Sequence, residues 1–207
     1  MKLAIILFET MTSLDFIGFY DGVTRLKSMG FIDNLSWDIC AYDEQVSDDR
    51  GVTYKIPCVR PNLAGYDLIY VPGGMGTRTL IHDTAFIAWL QTAKDVPYKV
   101  AVCTGSLLLG AAGFLKGKKA TTHPNALELL AAYTEQVETK RIVRDGNTIT
   151  GGGVATSVDL GLYVCELLAG KEVVAKIQKQ MDYPYYRSEV CEIPAEDEKG
   201  MRNRCAT

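Results

Sequence analysis

Short apolar runs alternate along this chain with segments of helical periodicity. Three runs are apolar almost throughout, as strands buried on both faces are: 2–8, 67–72 and 98–102. Helical spacing is found in the segments that follow them, at about 13–29, 83–94 and 104–112. This alternation predicts an α/β sandwich with a mostly parallel sheet, in which sites form at the carboxyl ends of the strands.

The other segments extend the same pattern. Apolar and polar residues alternate in two segments, as they do in strands with one exposed face: 35–41 and 52–58. A strand is predicted over 118–122, and Asp145-Gly146 between two apolar segments predicts a type I′ hairpin. Two more helices are predicted, at about 155–168 and 171–180. We expect one domain over residues 1–207, with an irregular tail from about residue 182.

Composition limits the possible functions. The chain has 207 residues, 47% hydrophobic and 23% charged, and a net charge of −3, so nothing favours nucleic acid or an anionic membrane as a partner. No apolar run is long enough to span a bilayer, and the N-terminal segment is interpreted as a first strand, not a signal peptide. Six cysteines without a C-x-x-C pair argue against zinc and predict reduced thiols in the cytoplasm.

Cys103 stands where an apolar strand ends and a helical pattern begins at the next residue. At such an elbow, backbone N–H groups and the helix dipole face the sulfur and favour the thiolate, which is the nucleophilic form. We therefore expect a strained backbone at Cys103, with φ above zero. The alternative is an inert cysteine that simply fills the core.

The first predicted helix carries a second candidate. Ser13 is the expected N-cap and Gly30 the expected stop, and the apolar residues are expected on one face: Leu14, Ile17, Val23 and Leu26. Asp15 lies in the first turn among apolar neighbours, just after the first strand. It is either a partner of the helix dipole or a general acid.

Glycines and histidines near other strand ends give weaker signals. The segment after Gly73-Gly74 lacks the third glycine of a dinucleotide-binding fingerprint, which argues against a phosphate-binding loop. The alternative is that the N–H groups of this glycine turn donate to a reacting atom, as in an oxyanion hole. Of the two histidines, His82 is interpreted as a surface residue. His123 follows a strand that we expect near the strand of Cys103, and it is either structural or part of the site.

Four motifs in order resemble the ThiJ/PfpI superfamily, over about residues 1–180: YVPGG at 70–74, AVCTGS at 101–106, ATTH at 120–123 and DGNTITGGG at 145–153. The resemblance implies a flavodoxin-like three-layer sandwich with a cysteine at the elbow, and a homodimer. The Cys-Thr-Gly-Ser sequence and LDFIG at 14–18 are most similar to the isocyanide hydratase branch, and GVAT at 153–156 matches a helix start beside the cysteine.

That branch implies Cys103 as nucleophile, Asp15 as acid and base, and Thr104 as an assisting residue. Substrate or oxyanion contacts are expected from four further residues: Gly74, Met75, His123 and Val154. The implied reaction adds water to an isocyanide, a small electrophile, through a thioimidate on Cys103, and it requires neither metal nor organic cofactor.

Other functions remain open at this point. A glyoxalase-like or deglycase-like enzyme acting on small carbonyls is the closest enzymatic alternative, although that branch carries a glutamate in place of Asp15. A glutaminase or cysteine peptidase would need His123 as its base. A non-enzymatic redox sensor would also use an activated Cys103.

Overall fold

Strands dominate the centre of the molecule. The structure is a computed structural model that describes residues 1–187 and 191–193. Its strands are β1 (Lys2–Leu7), β2 (Ser36–Ala41), β3 (Gln45–Ser47), β4 (Thr53–Lys55), β5 (Cys58–Val59), β6 (Leu68–Val71), β7 (Tyr98–Val102), β8 (Lys119–Ala120), β9 (Gln136–Val137), β10 (Ile142–Asp145), β11 (Thr148–Gly151) and β12 (Cys191–Ile193). Eight of these form one sheet in the order β12-β10-β11-β7-β6-β1-β2-β5, and all neighbours except β10 and β11 are parallel. The α/β class with a mostly parallel sheet is confirmed.

In the part of the chain that the structure describes, seven α-helices accompany the strands: α1 (Ser13–Ser28), α2 (Thr77–Leu80), α3 (Thr84–Gln91), α4 (Gly105–Ala111), α5 (Leu127–Leu130), α6 (Thr156–Ala169) and α7 (Lys171–Gln180). Helix α1 packs against α6 and α7, whereas α4 packs against α2 and α5. None of the helices within the described residues is long and apolar enough to cross a lipid bilayer.

The order of the strands creates one point where the chain reverses direction across the sheet. From β1 the chain moves to β2 on one side, and it later returns to β6 and β7 on the other. Because β-α-β crossovers are right-handed, this reversal places α1 on the face opposite to the helices that follow β6 and β7. The carboxyl ends of β1, β6 and β7 therefore border one crevice, which is where ligands bind in such sheets.

The face that α1 buries differs from the prediction. Leu14 and Ile17 are 49% and 43% exposed, whereas Asp15 and Phe16 are buried. The close contact with α6 decides this orientation, because a Cβ at Gly18 would lie within 3.4 Å of residues at the start of α6. The predicted N-cap is also one residue late: Thr12 occupies that position and makes no side-chain capping bond.

Three other predictions need correction. The segment 52–58 divides into β4, which pairs with β3 in a separate hairpin, and β5 at the edge of the main sheet. Strand β8 pairs with β9 outside the main sheet, and so it is not a neighbour of β7. The tail is not irregular throughout, since β12 pairs in parallel with β10.

The hairpin at Asp145-Gly146 forms, but with another turn type. Asp145 pairs with Thr148, so the two central residues are Gly146 and Asn147. Only Gly146 has a positive φ, of 60°. A single positive φ at a glycine in the first central position is the pattern of a type II′ turn, and type I′ would need both.

Candidate functional site

Cys103 forms a strand-to-helix elbow between β7 and α4. Its φ is +53°, a conformation that L-residues adopt only when the surroundings impose it, and the expected strain is confirmed. The Cys103 N–H donates to the carbonyl oxygens of Gly151 and Gly152, at 3.0 and 2.8 Å. These bonds tie the elbow to the end of β11, the neighbouring strand.

The carbonyl side of the elbow is held as firmly. The Cys103 oxygen accepts hydrogen bonds from the hydroxyls of Ser106 at 3.1 Å and Thr122 at 2.8 Å. A Cβ at Gly105 would lie only 2.3 Å from the carbonyl oxygen of Val71, so the turn needs glycine there. The backbone of the nucleophile candidate is therefore fixed by contacts with three separate segments.

Asp15 lies behind the elbow and is fully buried. Its Oδ2 accepts the Gly73 N–H at 2.8 Å, and its own carbonyl oxygen accepts the Tyr70 hydroxyl at 2.6 Å. The carboxylate thus turns into the crevice and does not cap α1. Its other oxygen, Oδ1, has no donor in hydrogen-bonding geometry among the described residues, although a buried polar atom usually has one.

Burial controls the protonation of both groups. Desolvation raises the pKa of Asp15 to about 7, against opposing hydrogen bonds from Gly73 and from the Cys103 side chain. Burial, and then the charge of Asp15, raise the pKa of the Cys103 thiol to about 12. The expectation that the elbow favours a resting thiolate is therefore wrong: Cys103 is only 5% exposed, and burial outweighs the backbone N–H groups.

Thr104 supports the sulfur and the neighbouring glycine turn. Its N–H and hydroxyl act on the Cys103 sulfur in the direction that lowers the thiol pKa. The Thr104 Oγ1 also accepts the Gly74 N–H at 3.0 Å and lies 3.1 Å from the Gly74 carbonyl oxygen. The N–H groups of Gly73 and Gly74 are thus both used within the protein, so neither is a free donor for a reacting atom.

A cavity of about 260 Å³ opens above Cys103. All the predicted site residues except Asp15 line it, together with five that the sequence did not single out: Thr12, Asp49, Arg50, Arg78 and Asn125. Asp15 is fully buried and does not line the cavity, but its side chain lies next to that of Cys103 and shares a hydrogen bond with it. The arrangement presents a thiol to a small ligand and keeps a carboxyl group out of solvent next to that thiol.

His123 reaches the cavity although its strand is not in the main sheet. Its Nδ1 accepts the Asn125 N–H at 3.1 Å, so a neutral ring carries its hydrogen on Nε2 and acts there as a donor. This arrangement does not offer His123 as a base to Cys103. His82 is exposed, as expected, and does not line the cavity.

The rim residues Asp49 and Arg50 come from the turn between β3 and β4. Asp48 builds this turn, since its Oδ1 accepts the N–H groups of Arg50 and Val52 at 2.9 and 2.7 Å. The Ser13 hydroxyl donates to the other oxygen of Asp48 and so attaches the turn to α1. Nothing in the sequence spacing indicates that this turn folds over the elbow. Among residues 1–187 and 191–193, no cluster of three or more His, Cys, Asp or Glu could hold a metal ion.

Two known proteins are similar in sequence to much of this chain. Isonitrile hydratase from Pseudomonas putida is 33% identical over 184 residues, which cover 88% of this chain and 78% of that protein. Protein DJ-1alpha from Drosophila melanogaster is 32% identical over 122 residues, 58% of this chain and 56% of that protein.

Solved structures show the same fold. A THiJ/PfpI family protein from Pseudomonas syringae superposes with a TM-score of 0.80 at 28% identity, covering 90% of this chain and 76% of the other. Drosophila melanogaster DJ-1beta has a TM-score of 0.76 at 24% identity, covering 89% and 98%. The model of the DJ-1/PfpI family matches residues 1–167. The chain therefore belongs to the DJ-1/PfpI family.

Proposed function

We propose that this protein hydrates an isocyanide to an N-substituted formamide, with Cys103 as the nucleophile and Asp15 as its acid and base. The observation that carries the proposal is the pairing of a thiol at the base of a small cavity with one buried carboxyl group of raised pKa. The similarity to isonitrile hydratase over most of both chains supports the same reaction.

In the first step Asp15 takes the proton of the Cys103 thiol as the sulfur attacks the terminal carbon of the isocyanide. Protonation of Asp15 also removes the negative charge that raises the pKa of the Cys103 thiol. The thiolate is therefore less disfavoured at the moment when it attacks the isocyanide carbon. The C–S bond forms, one bond of the carbon–nitrogen triple bond breaks, and Asp15 returns the proton to the carbon. The product of this step is a thioimidate on Cys103.

In the second step water adds to the thioimidate carbon. Asp15, ionised again, accepts a proton from the water and passes it to the nitrogen, so that the carbon carries a hydroxyl group, the nitrogen and the sulfur. The C–S bond then breaks, the hydroxyl proton is transferred to the sulfur, and the formamide leaves. The sum is one isocyanide plus one water giving one formamide, with no net oxidation and one carboxyl group moving protons in both steps.

The site suits an isocyanide better than a carbonyl for a physical reason. Attack on a carbonyl builds negative charge on oxygen, which enzymes stabilise with free N–H donors. The N–H groups nearest the sulfur in the glycine turn already donate to Asp15 and Thr104. Attack on an isocyanide instead needs a proton delivered to the carbon that is bonded to the sulfur, and Asp15, which hydrogen-bonds to the Cys103 side chain, is the acid that would provide it.

The test is to incubate the full chain with cyclohexyl isocyanide and to measure the formamide by mass spectrometry. Methylglyoxal is supplied in a parallel assay, because the similarity to DJ-1 proteins makes a small carbonyl the natural alternative. Formamide that depends on Cys103 supports the proposal. Turnover of methylglyoxal without any formamide would replace it by the carbonyl reaction, and turnover of neither would favour a redox role.

A further inference from the structure

The cavity above Cys103 holds a positive charge that nothing in the described protein neutralises. Arg78 lies in α2, is half-buried and lines the cavity. Within residues 1–187 and 191–193 its side chain makes no hydrogen bond, ion pair or ring contact. A guanidinium group presents a planar fork of donors that matches a carboxylate, so an unpartnered one facing a cavity indicates an anionic ligand.

The other charged groups of the cavity do not cancel this one. Asp49 is engaged by its neighbour Arg50, with Nη1 to Oδ1 at 2.9 Å, and its Oδ2 faces the Thr12 hydroxyl at 3.4 Å. These two opposite charges offset each other at the rim. Asp15, the remaining acid, does not line the cavity, and burial raises its pKa to about 7. The charge of Arg78 is therefore available to a ligand.

His123 adds a donor on the same cavity. Its Nδ1 is occupied by the Asn125 N–H, so the neutral imidazole directs an N–H from Nε2. Among the residues that line the cavity, the one carboxylate is that of Asp49, which is already paired with Arg50. An anionic ligand in this cavity therefore meets a guanidinium group and an imidazole N–H, and the lining carboxylate is already paired.

The size of the cavity limits what the anion can be. Its volume of about 260 Å³ lies below the roughly 300–1,000 Å³ of pockets that hold drug-sized ligands. A ligand that reaches Cys103 and Arg78 together has room for a reactive carbon, a short connection and one small charged group. A carboxylate fits these limits and matches the single guanidinium fork.

We propose that the substrate is a small carboxylate-bearing electrophile, held by Arg78 through its carboxylate while its electrophilic carbon meets Cys103. With the hydratase reaction proposed above, on which this step rests, the substrate is an isocyanide that carries a carboxylate. The anion preference itself depends only on the cavity, so the two proposals can be tested separately.

The first test compares two alkylating agents that differ in charge. Iodoacetate and iodoacetamide have nearly the same shape, and with both the sulfur displaces iodide from a CH₂ carbon. The rate with iodoacetate divided by the rate with iodoacetamide, both measured at Cys103 by peptide mapping, cancels the reactivity of the thiol. Dividing this ratio by the same ratio for 2-mercaptoethanol cancels the difference in reactivity between the two reagents. We expect this ratio to fall about fivefold in Arg78→Gln, which corresponds to a partly exposed ion pair of about 1 kcal/mol.

Two further variants make the result specific. Lys116→Gln removes the same charge from an exposed position outside this cavity and should leave the ratio unchanged. Arg78→Lys keeps the charge but not the fork and should restore part of the preference. A normalised rate ratio in Arg78→Gln equal to that of the unmodified protein would overturn the proposal. An equal decrease of this ratio in Arg78→Gln and in Lys116→Gln would also overturn it.

The second test uses turnover of isocyanoacetate against its neutral methyl ester. The inference predicts a higher kcat/KM for the free acid and loss of this preference in Arg78→Gln. Hydration of both compounds at equal rates, with an alkylation ratio insensitive to Arg78, would reject the anion site and leave the hydratase proposal standing. Hydration of neither, with an alkylation ratio that depends on Arg78, would reject the hydratase and leave the anion site standing.

Discussion

Replacing Asp15 by asparagine should remove the activity and at the same time change how stability depends on pH. The carboxyl group is fully buried, and burial raises its pKa from 3.8 to about 7. Between these two values the folded protein keeps a proton that the unfolded chain releases. The contribution of Asp15 to the free energy of unfolding therefore falls as pH rises from about 4 to about 7, and it stays constant above pH 7.

The size of this effect follows from the shift. About three pKa units at about 1.4 kcal/mol each give an ionisation cost of about 4 kcal/mol at pH 8. Asparagine cannot ionise, and its oxygen can still accept the Gly73 N–H. Its NH₂ group would occupy the place of Oδ1, which has no partner, and would cost roughly 1–3 kcal/mol at every pH.

Asp15→Asn should therefore be less stable than the unmodified protein near pH 4 and more stable near pH 8. The difference between the two unfolding free energies should change by about 3–4 kcal/mol over this range. Urea denaturation at a series of pH values measures it, and formamide production should fall about 10²–10⁴-fold in the same variant.

Asp159→Asn is the matched control, since Asp159 is also a buried aspartate in the first turn of a helix. It pairs with Arg141 at 2.5 Å, so its loss should lower stability at pH 8 and leave turnover unchanged. A stability difference for Asp15→Asn that does not vary with pH, or near-normal turnover in that variant, would refute the assignment of Asp15 as the titrating acid and base.

The kcat/KM for isocyanide hydration should rise about tenfold per pH unit below pH 7 and level off above it, because Asp15 must be ionised to take the thiol proton; a profile that is flat through pH 7 would argue against this. Gly105→Ala should lower stability by roughly 1–3 kcal/mol and reduce turnover, since its Cβ would meet backbone oxygens at 2.3 and 2.5 Å; urea denaturation measures the loss. The homodimer implied by the family resemblance should appear as twice the chain mass in light scattering at micromolar concentration, and a monomer would contradict it.

The elbow could be predicted from the sequence because both of its determinants are local. An apolar run stops at Cys103 and helical spacing begins at the next residue, and these patterns report a strand end and a helix start directly. The positions of Asp15 and Gly73-Gly74 could be predicted for the same reason, since each follows an apolar strand. Carboxyl ends of parallel strands then bring them to one edge.

The protonation state of the thiol could not be predicted in this way. Local sequence indicates the N–H groups near the sulfur, but burial and a neighbouring carboxylate dominate the pKa, and both depend on packing between distant segments. The exposed face of α1 was missed for a similar reason. Gly18 and Gly22 mark its contact with α6, and glycines contribute nothing to a pattern of apolar residues.

Arg78 and the Asp49-Arg50 turn were missed because their role comes only from tertiary structure. Each follows a strand of its own, and nothing in the spacing relates either one to Cys103. The position of the Asp49-Arg50 turn over the cavity depends on the hydrogen bond from Ser13 to Asp48, which joins two segments that are distant in the sequence.

The most direct test of the account is to trap the intermediate on Cys103. Acid quenching during turnover, followed by intact-protein mass spectrometry and peptide mapping, should reveal a mass increase equal to one whole isocyanide, located on Cys103. Cys103→Ser should give neither this adduct nor formamide above the uncatalysed rate. Formamide production by Cys103→Ser at the rate of the unmodified protein, or an adduct confined to another cysteine, would contradict covalent catalysis at the elbow.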